Sequence, residues 1–427
     1  MKKRKELIQQ YETIINSTVD IILKRFEAHP EYGFIDTKFD LMTGNDHFST
    51  EDKASLFRSG KVIYSWIQGR ALESLAGHLA ASYGEKERIL PVLRSVCDKM
   101  QRAGEKNNGR MFFTLDTDGN RIYPDGSPCK EAIAGDANYS DLFVSKGLFN
   151  AAYVLGDKEL FAGSVNYFKN TLIAIENHRF VTDQQPFDPA NPVTAQEGKL
   201  LQGPFMIALS GITAAAELTE DEWYCDCGVR FIERILDIHM KFDQGRPDFF
   251  EAVHPDNSVW VENGKLLCDP GHTLEFLGLA QKFLLYLETL HRKQDGKLLD
   301  RCRELFPKLL EHTFNIGYSP SARGIIKSFD VISQTPINQD MPWWSLPETI
   351  RAAAENEIFC SCDQSRIIDL CSAAFWNDFT CKEQGYFAWQ TRNKEGLPAA
   401  VIPASPDIDP GYHTNLSLID TICLWNS

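Results

Sequence analysis

The chain has 427 residues, of which 43% are hydrophobic and 11% aromatic, and its formal net charge is −15. This length is ample for a large buried core, and the acidic balance argues against nucleic acid and anionic membrane surfaces as partners. No apolar run approaches the length of a membrane span, and the basic start Met1–Glu6 is followed by no apolar signal segment. We therefore expect a cytoplasmic protein.

The eleven cysteines are scattered along the chain. Cys225 with Cys227, and Cys360 with Cys362, have C-x-C spacing without a matching C-x-x-C or histidine partner, which is a poor zinc pattern. Free thiols in a reducing compartment account for them most simply. The sequence therefore predicts no metal site.

Apolar residues recur at helical spacing through most of the chain and predict twelve helices. The predicted helices span 5–28, 59–83, 86–104, 139–156, 158–177, 200–217, 221–242, 272–292, 295–315, 342–356, 363–378 and 411–426. The clearest strand signal is the hairpin-like segment Met111–Tyr123, in which Asp118-Gly119 is typical of a turn. We expect an all-α protein with a small β-hairpin in one loop.

The connections alternate in length. Links that follow even-numbered helices are short, such as Gly84-Glu85 and Gly156-Asp157. The links that precede even-numbered helices are long and span about 29–58, 105–138, 178–199, 243–271, 316–341 and 379–410. Six helical hairpins of this kind predict an (α/α)6 barrel, and the lack of a Ser/Gly-rich linker predicts one domain, residues 1–427. Because long loops in compact domains are usually functional, we expect the site where the even-numbered helices begin.

The starts of the even-numbered helices carry side chains that suit a sugar. They are Trp66, Arg70, Tyr139, His272, Glu275, Trp343, Trp344, Glu348 and His413, with Trp389 in the loop before the twelfth helix. Aromatic faces pack against the C–H side of a pyranose, and fixed polar groups bind its hydroxyls. The set predicts a small sugar as the substrate.

The eighth helix has the strongest start signal. Asp269 suits the N-cap, and Pro270 suits the first turn. His272 would lie in that turn with Glu275 on the same face. Because a helix N-terminus disfavours a protonated imidazole, we expect His272 to be neutral at pH 7 and able to act as a base. A structural histidine beside a cap is the alternative interpretation.

Two histidines suit proton transfer on carbon. In an open-chain aldose, the aldehyde acidifies the proton on C2, and one base can remove it to give an enediolate. A second group on the opposite face can then return a proton with inverted configuration. Arg70 can stabilise the developing oxyanion without a metal.

Five motifs in chain order resemble the signatures of the N-acylglucosamine 2-epimerases. They are Trp66-x-Gln68-Gly69-Arg70 (W-x-Q-G-R), Pro270-Gly271-His272-Thr273-Leu274-Glu275 (PGH-x-x-E), Trp343-Trp344-x-x-x-Glu348 (WW-x-x-x-E), Gly385-Tyr386-Phe387 and Tyr412-His413. The resemblance covers nearly the whole chain and implies an (α/α)6 barrel that epimerises a sugar at C2. It implies His272 and His413 as the acid/base pair, supported by Arg70, Glu275 and Glu348.

Family members are often homodimers, so the resemblance also implies a homodimer. Some members are activated by nucleotides, but the sequence has no G-x-x-x-x-G-K-[ST] loop, so it predicts no cofactor and places no nucleotide site. Two departures from the family pattern stand out. No arginine follows His413 within Thr414–Ser417, and the sixth helix start, Gly203–Met206, lacks the histidine usual in cellobiose 2-epimerases and mannose isomerases. The second departure favours the N-acylglucosamine branch.

Three alternatives remain open from the residues. An aldose–ketose isomerase would share the enediolate and return the proton to C1. A glycan hydrolase on the same barrel would need two carboxylates, for which Glu275 and Glu348 could serve, but it would leave the two histidines unexplained. A sugar-binding protein without activity is the third, and the missing arginine after His413 favours it.

Overall fold

The computed structural model describes residues 2–41, 43–132, 134–184, 196–243, 245–381, 385, 387–388, 391–401 and 405–426. Its contacts divide the chain into two compact units. The first unit contains residues 1–196, 381–387 and 401–419, and the second contains residues 197–380, 388–400 and 420–427. The single domain that the sequence suggested stays a prediction.

Twelve α-helices lie within these described ranges, which confirms the predicted all-α class. The first unit contains α1 (Lys2–Ala28), α2 (Ser65–Ala80), α3 (Lys86–Lys106), α4 (Tyr139–Leu155), α5 (Lys158–Glu176) and the start of α12 (His413–Asn426). The second unit contains α6 (Gly203–Thr219), α7 (Glu222–Ile238), α8 (Pro270–Thr289), α9 (Gly296–Gly317), α10 (Ser345–Phe359), α11 (Ser365–Ala374) and the end of α12. Shorter helical turns span Pro30–Tyr32, Lys53–Arg58, Lys293–Asp295 and Phe375–Phe379.

The strands are two to four residues long and form small sheets. In the first unit, Ile63–Tyr64 pairs with Thr114–Leu115 and Ala137–Asn138 pairs with Phe180–Val181. In the second unit, the pairs are Leu200–Leu201 with Ala252–Val253, Met240–Asp243 with Arg246–Phe249, Tyr318–Ser319 with Gly324–Ile325, and Met341–Pro342 with Thr391–Arg392. Ser328–Asp330 lies between Leu267–Cys268 and Thr335–Asn338, and further strands span Thr380–Cys381 and Phe387–Ala388.

Neighbouring helices differ in how they are buried. In α4, every residue from Tyr139 to Phe149 is buried, so this helix is enclosed on all sides. In α3, the buried residues recur three or four positions apart, from Ile89 through Val92 and Val96, so only one face is covered. The even-numbered helix α4 is therefore an inner helix, and the amphipathic α3 packs against it from outside.

Two helix ends differ from the sequence prediction because short strands claim the residues. The second helix was predicted from residue 59 but begins at Ser65, since Ile63–Tyr64 pairs with Thr114–Leu115. The seventh was predicted to reach residue 242 but ends at Ile238, since Met240–Asp243 pairs with a following strand. In both places, backbone pairing with distant residues replaces the last helical turns.

The predicted turn at Asp118-Gly119 is confirmed. The backbone N–H of Gly119 donates to the carbonyl of Asp116 at 3.0 Å, and Gly119 has a φ of +83°, which glycine adopts readily. The hairpin itself is shorter than expected, with a single bridge between Leu115 and Arg121.

Residues far apart in the chain hold the first unit together. The Nζ atom of Lys38 lies 2.7 Å from Oδ1 of Asp407, and the hydroxyl of Thr37 donates to Oδ2 of the same carboxylate at 2.7 Å. All three side chains are buried. The pair therefore fixes the segment that leads into α12 against the segment that follows α1.

None of the helices in the described ranges has the length and apolar character that crossing a membrane requires.

Candidate active site

The start of α8 confirms the predicted cap. The carboxylate of Asp269 accepts hydrogen bonds from the backbone N–H groups of Gly271 at 3.0 Å and His272 at 3.4 Å. A Cβ atom on Gly271 would lie 2.7 Å from the ring of Trp344, so only glycine allows this approach. The cap and the close packing together fix the backbone that carries His272.

Two carboxylates of the second unit hold His272. Its Nδ1 atom lies 2.9 Å from Oε2 of Glu251 and 3.5 Å from Oδ2 of Asp269, and its side chain is 32% exposed. Burial lowers the pKa of His272, but Asp269 and Glu251 outweigh burial and raise that pKa to about 9. The expectation of a neutral imidazole at pH 7 is therefore wrong, because the two carboxylates outweigh the helix N-terminus as well.

Lys327 and Trp344 complete this group. The Nζ atom of Lys327 lies 2.6 Å from Oδ2 of Asp269 and 5.5 Å from the centre of the Trp344 ring. The Trp344 ring stacks on the imidazole of His272, with ring centres 5.4 Å apart and planes 25° apart. Trp343 and Trp344 are each 7% exposed. Trp344 thus fixes the plane of the imidazole, while a sugar contact by either tryptophan stays a prediction.

Glu275 and Glu348 lie close together in the second unit. Both are buried, and a carboxylate oxygen of one lies within 4.8 Å of a carboxylate oxygen of the other. Arg351, one turn along α10, donates a hydrogen bond to Oε2 of Glu348. The two predicted carboxylates are therefore brought together, beside an arginine that the sequence had not indicated.

In the first unit, two glycines bring α2 and α4 close enough to position Arg70. A Cβ atom on Gly69 would lie 2.6 Å from the carbonyl oxygen of Phe143, and one on Gly147 would lie 2.3 Å from the carbonyl oxygen of Gly69. The guanidinium of Arg70 lies over the ring of Phe143 at 4.3 Å and over that of Tyr412 at 5.4 Å. Cation–π contacts on two rings fix the predicted arginine in place.

Gln68 of the same motif has a structural role. Its amide accepts a hydrogen bond from the backbone N–H of Ile35 at 2.8 Å and donates one to the carbonyl of Ile35 at 2.9 Å. The side chain therefore pairs with the backbone as a neighbouring strand would, and it ties the segment after α1 to α2.

A buried lysine lies beside Arg70. The ammonium of Lys146 donates to the hydroxyl of Tyr412 at 2.7 Å and lies 3.1 Å from Oε2 of Glu73. The side chain of Lys146 is fully buried, so Glu73 and Tyr412 compensate a charge that would otherwise be costly. The lysine thereby fixes the Tyr412 ring on which Arg70 rests.

The start of α12 presents His413. The carboxylate of Asp409 accepts hydrogen bonds from the backbone N–H groups of Tyr412 at 2.9 Å and Thr414 at 3.1 Å. Gly411 has a φ of +90°, and a Cβ atom there would lie 2.9 Å from the hydroxyl of Ser74. His413 is 6% exposed, and the Tyr412 ring packs edge-on against its imidazole at 4.8 Å.

Trp66 and Tyr139 pack against each other in the first unit, with ring centres 5.4 Å apart. The indole N–H of Trp66 donates to Oδ1 of Asp183 at 3.4 Å, and the hydroxyl of Ser140 donates to Oδ2. Burial raises the pKa of Asp183 to about 7. Sugar contacts by Trp66 and Tyr139 stay predictions, and Trp389 lies outside the described residues.

The sequence interpretation missed several charged neighbours of the predicted residues. They are Glu251, Lys327 and Arg351 in the second unit and Glu73, Lys146 and Asp183 in the first. A signal existed for two of them. Glu251 follows Phe249-Phe250, and Lys146 lies within an apolar helix, and a charge inside an apolar stretch marks a paired or functional group.

Comparisons with known proteins agree with this arrangement. The model of the N-acylglucosamine 2-epimerase (GlcNAc 2-epimerase) family matches residues 139–414, more than half of the chain. Among solved structures, the chain is similar to a sugar epimerase from a ruminal bacterium, with 12% identity, a TM-score of 0.72 and 98% of each chain covered. It is also similar to cellobiose 2-epimerase from Bacillus thermoamylovorans, with 11% identity, a TM-score of 0.72 and coverage of 99% of this chain and 100% of that one.

A third similar structure is D-mannose isomerase, with 14% identity, a TM-score of 0.64 and coverage of 93% of this chain and 97% of that one. A sequence comparison with curated proteins gave no match. At these identities the likeness is one of fold, and it confirms the predicted (α/α)6 barrel class.

Proposed function

Because the chain belongs to the N-acylglucosamine 2-epimerase family, we propose that it interconverts the C2 epimers of a hexose, with N-acylglucosamine and N-acylmannosamine as the substrate pair. Family membership makes the protein an enzyme of the isomerase class. The choice of sugar is supported by the family description and by the start of α6, Gly203–Met206, which contains no histidine.

The observation that carries the proposal is the contact between Glu251 and Nδ1 of His272. A carboxylate on Nδ1 fixes the imidazole and assigns proton transfer to the other ring nitrogen, Nε2. Because the pKa of His272 is raised to about 9, this histidine holds a proton at pH 7. It therefore starts the reaction as the acid, and its proton is the one delivered to C2 of the enediolate.

His413 then serves as the base that removes the C2 proton in the first step. The two roles exchange in the reverse direction, because the enzyme that has turned over once carries the proton on His413 instead. Each group contributes roughly 10²–10⁴ in rate. Inversion at C2 follows from using a different histidine for removal and for return of the proton.

The remaining predicted residues bind and orient the sugar in this proposal. Arg70, held over two aromatic rings, supplies a cation for the oxyanion that develops as the C2 proton leaves. Glu275 and Glu348 accept hydrogen bonds from sugar hydroxyls. The aromatic residues pack against the C–H face, and they are Trp66, Tyr139, Trp343, Trp344 and Trp389.

Exchange of the C2 proton with solvent tests the function. The purified protein is incubated in deuterated water with N-acetylglucosamine, N-acetylmannosamine, glucose, mannose and cellobiose separately. We expect loss of the C2 proton signal and appearance of the other C2 epimer with an N-acylated sugar. A ketose product would instead identify an aldose–ketose isomerase, and the absence of exchange with every sugar would reject the proposal.

Single histidine variants test the mechanism. His272→Asn and His413→Asn should each abolish epimerisation, yet each should leave C2 exchange from one epimer only, through the surviving base, and the two variants should differ in which epimer. His291→Asn is the matched control, because His291 is exposed and has the left-handed backbone conformation that asparagine adopts readily. Near-normal epimerisation by both site variants would contradict the two-base assignment.

A further inference from the structure

A chain of charged groups continues from Glu348 into the interior of the second unit. Arg351 donates to Oε2 of Glu348, and its guanidinium lies 3.5 Å from Oδ2 of Asp420 near the end of α12. The other oxygen of Asp420 lies 2.6 Å from Nζ of Lys282 on α8. The side chains of Glu348 and Arg351 are 1% and 6% exposed, so the guanidinium has little water around it.

The sequence leaves space for this guanidinium on the facing helix. A Cβ atom on Gly278 of α8 would lie 3.0 Å from Nε of Arg351 and 3.4 Å from its Cγ atom. Glycine costs helix stability in the middle of a helix, and here it makes room for the arginine between α8 and α10. Gly278 is one turn beyond Glu275 on the same helix, so the space lies directly below the two carboxylates.

Stability alone gives a weak reason to keep this arrangement. A buried ion pair is commonly no more stabilising than well-packed apolar side chains of similar volume. The carboxylates of Glu275 and Glu348 approach within 4.8 Å, and like charges at that distance repel unless a cation compensates them. A planar guanidinium both compensates the charge and fixes the direction of the carboxylate it binds.

We propose that Arg351 is a positioning residue, which orients the Glu348 carboxylate for a sugar hydroxyl and is itself held by Asp420 in the space that Gly278 leaves. The inference rests on the proposed function, since it requires that Glu348 contacts the sugar. Arg351 acts through Glu348 and does not touch the substrate.

Two variants change the orientation in different ways. Arg351→Lys keeps the positive charge and removes the planar fork, whereas Gly278→Ala keeps the arginine and moves its guanidinium. Both should lower kcat by about 100-fold, because a displacement of about 1 Å at a reacting group costs that much, and both should change KM by a smaller factor. Arg351→Met should lower kcat further, which gives a graded order of wild type, lysine and methionine.

Glu355, one turn deeper on α10, provides the matched control. It is buried near the same groups, and burial together with the Asp420 charge raises its pKa to about 8, so it is largely protonated at pH 7. Glu355→Gln therefore replaces a neutral group with a neutral group of the same shape. This variant should keep the wild-type kcat and KM.

The rates are measured as C2 exchange and epimerisation per folded protein, with circular dichroism and thermal unfolding on the same samples. Wild-type kcat and KM in Arg351→Lys and Gly278→Ala would overturn the inference and leave the proposed function intact. An equal loss of kcat in Glu355→Gln would also overturn it, because a general disturbance of the interior would then explain all variants. A wild-type protein without C2 exchange on any sugar would reject the proposed function, and this inference with it.

Discussion

The Nδ1 atom of His272 lies 2.9 Å from Oε2 of Glu251, and this contact determines the resting protonation state of the candidate site. The helix N-terminus favours a neutral imidazole, but it acts with partial charges. Glu251 and Asp269 act with full charges at short distance, and together they raise the pKa of His272 to about 9. Protein and substrate should therefore meet with His272 already protonated.

Removing the Glu251 charge should make this visible in a pH profile. In Glu251→Gln, the pKa of His272 should fall from about 9 toward the ordinary value of about 6.5. In the reaction direction that uses His272 as the acid, kcat/KM should fall with rising pH, and this alkaline limb should move to lower pH in the variant. Glu262→Gln, in the same long loop but exposed and paired with Lys199, should keep the wild-type limb. An unchanged limb in Glu251→Gln would show that His272 is not the acid.

The same raised pKa affects stability. The pKa of His272 is higher in the folded protein, about 9, than in an unfolded chain, about 6.5. Its contribution to stability is therefore complete below about pH 6.5 and is lost as pH rises through about 9. Between these two pH values, the unfolding temperature of wild type should fall more steeply than that of His272→Asn, as measured by differential scanning calorimetry. Parallel curves would contradict the assigned pKa.

Lys146 should be costly to remove alone and less costly to remove together with its partner. Lys146→Met leaves the Glu73 carboxylate buried beside an apolar side chain, which should destabilise the fold by about 3–5 kcal/mol. The double variant Lys146→Met with Glu73→Gln leaves no uncompensated charge and should recover part of that loss. Chemical denaturation of both variants measures the difference. Equal stability of the single and double variants would indicate that Glu73 does not compensate Lys146.

The close approach of α2 and α4 makes a testable demand on Gly147. Its substitution by alanine places a Cβ atom 2.3 Å from the carbonyl oxygen of Gly69, which should cost about 1–3 kcal/mol and displace Arg70. Gly163→Ala is the matched control, because a Cβ atom there meets nothing within 4 Å and should stabilise α5 by about 0.5–1 kcal/mol. The reading is thermal unfolding together with KM. A neutral Gly147→Ala would show that the two helices can separate without cost.

We expect epimerisation to need no metal ion, because Arg70 can stabilise the oxyanion. A chelator should leave kcat unchanged. The experiment is informative because Glu275 and Glu348 bring carboxylate oxygens within 4.8 Å, a spacing that metal-binding carboxylates also adopt. Loss of turnover in chelator that a divalent ion restores would contradict the expectation.

The helices were predictable because their periodic apolar residues and their caps are local signals, as the Asp269 cap of α8 illustrates. The short strands were less predictable. Ile63–Tyr64 extends the helical pattern of α2 in sequence, and only its partner Thr114–Leu115, about fifty residues away, turns it into a strand. A two-residue strand has no periodicity of its own, so tertiary pairing decides its conformation.

The candidate site was predictable where a residue lies at a helix start. His272, Arg70 and His413 all do, and each follows a recognisable cap or motif. Glu251 could not be placed, because it comes from an irregular loop whose path depends on pairing with Leu200–Leu201. Its effect on the pKa of His272 was therefore invisible in the sequence, and the expected protonation state was wrong.

The contact between Lys38 and Asp407 has a consequence for synthesis of the chain on the ribosome. The first unit needs residues from both ends of the sequence, so its early helices must wait until more than three hundred further residues have been made. The second unit draws α6 to α11 from the continuous stretch 197–380. Its helices can associate as they emerge, and the part of the protein that is translated later is then the part that is structured first.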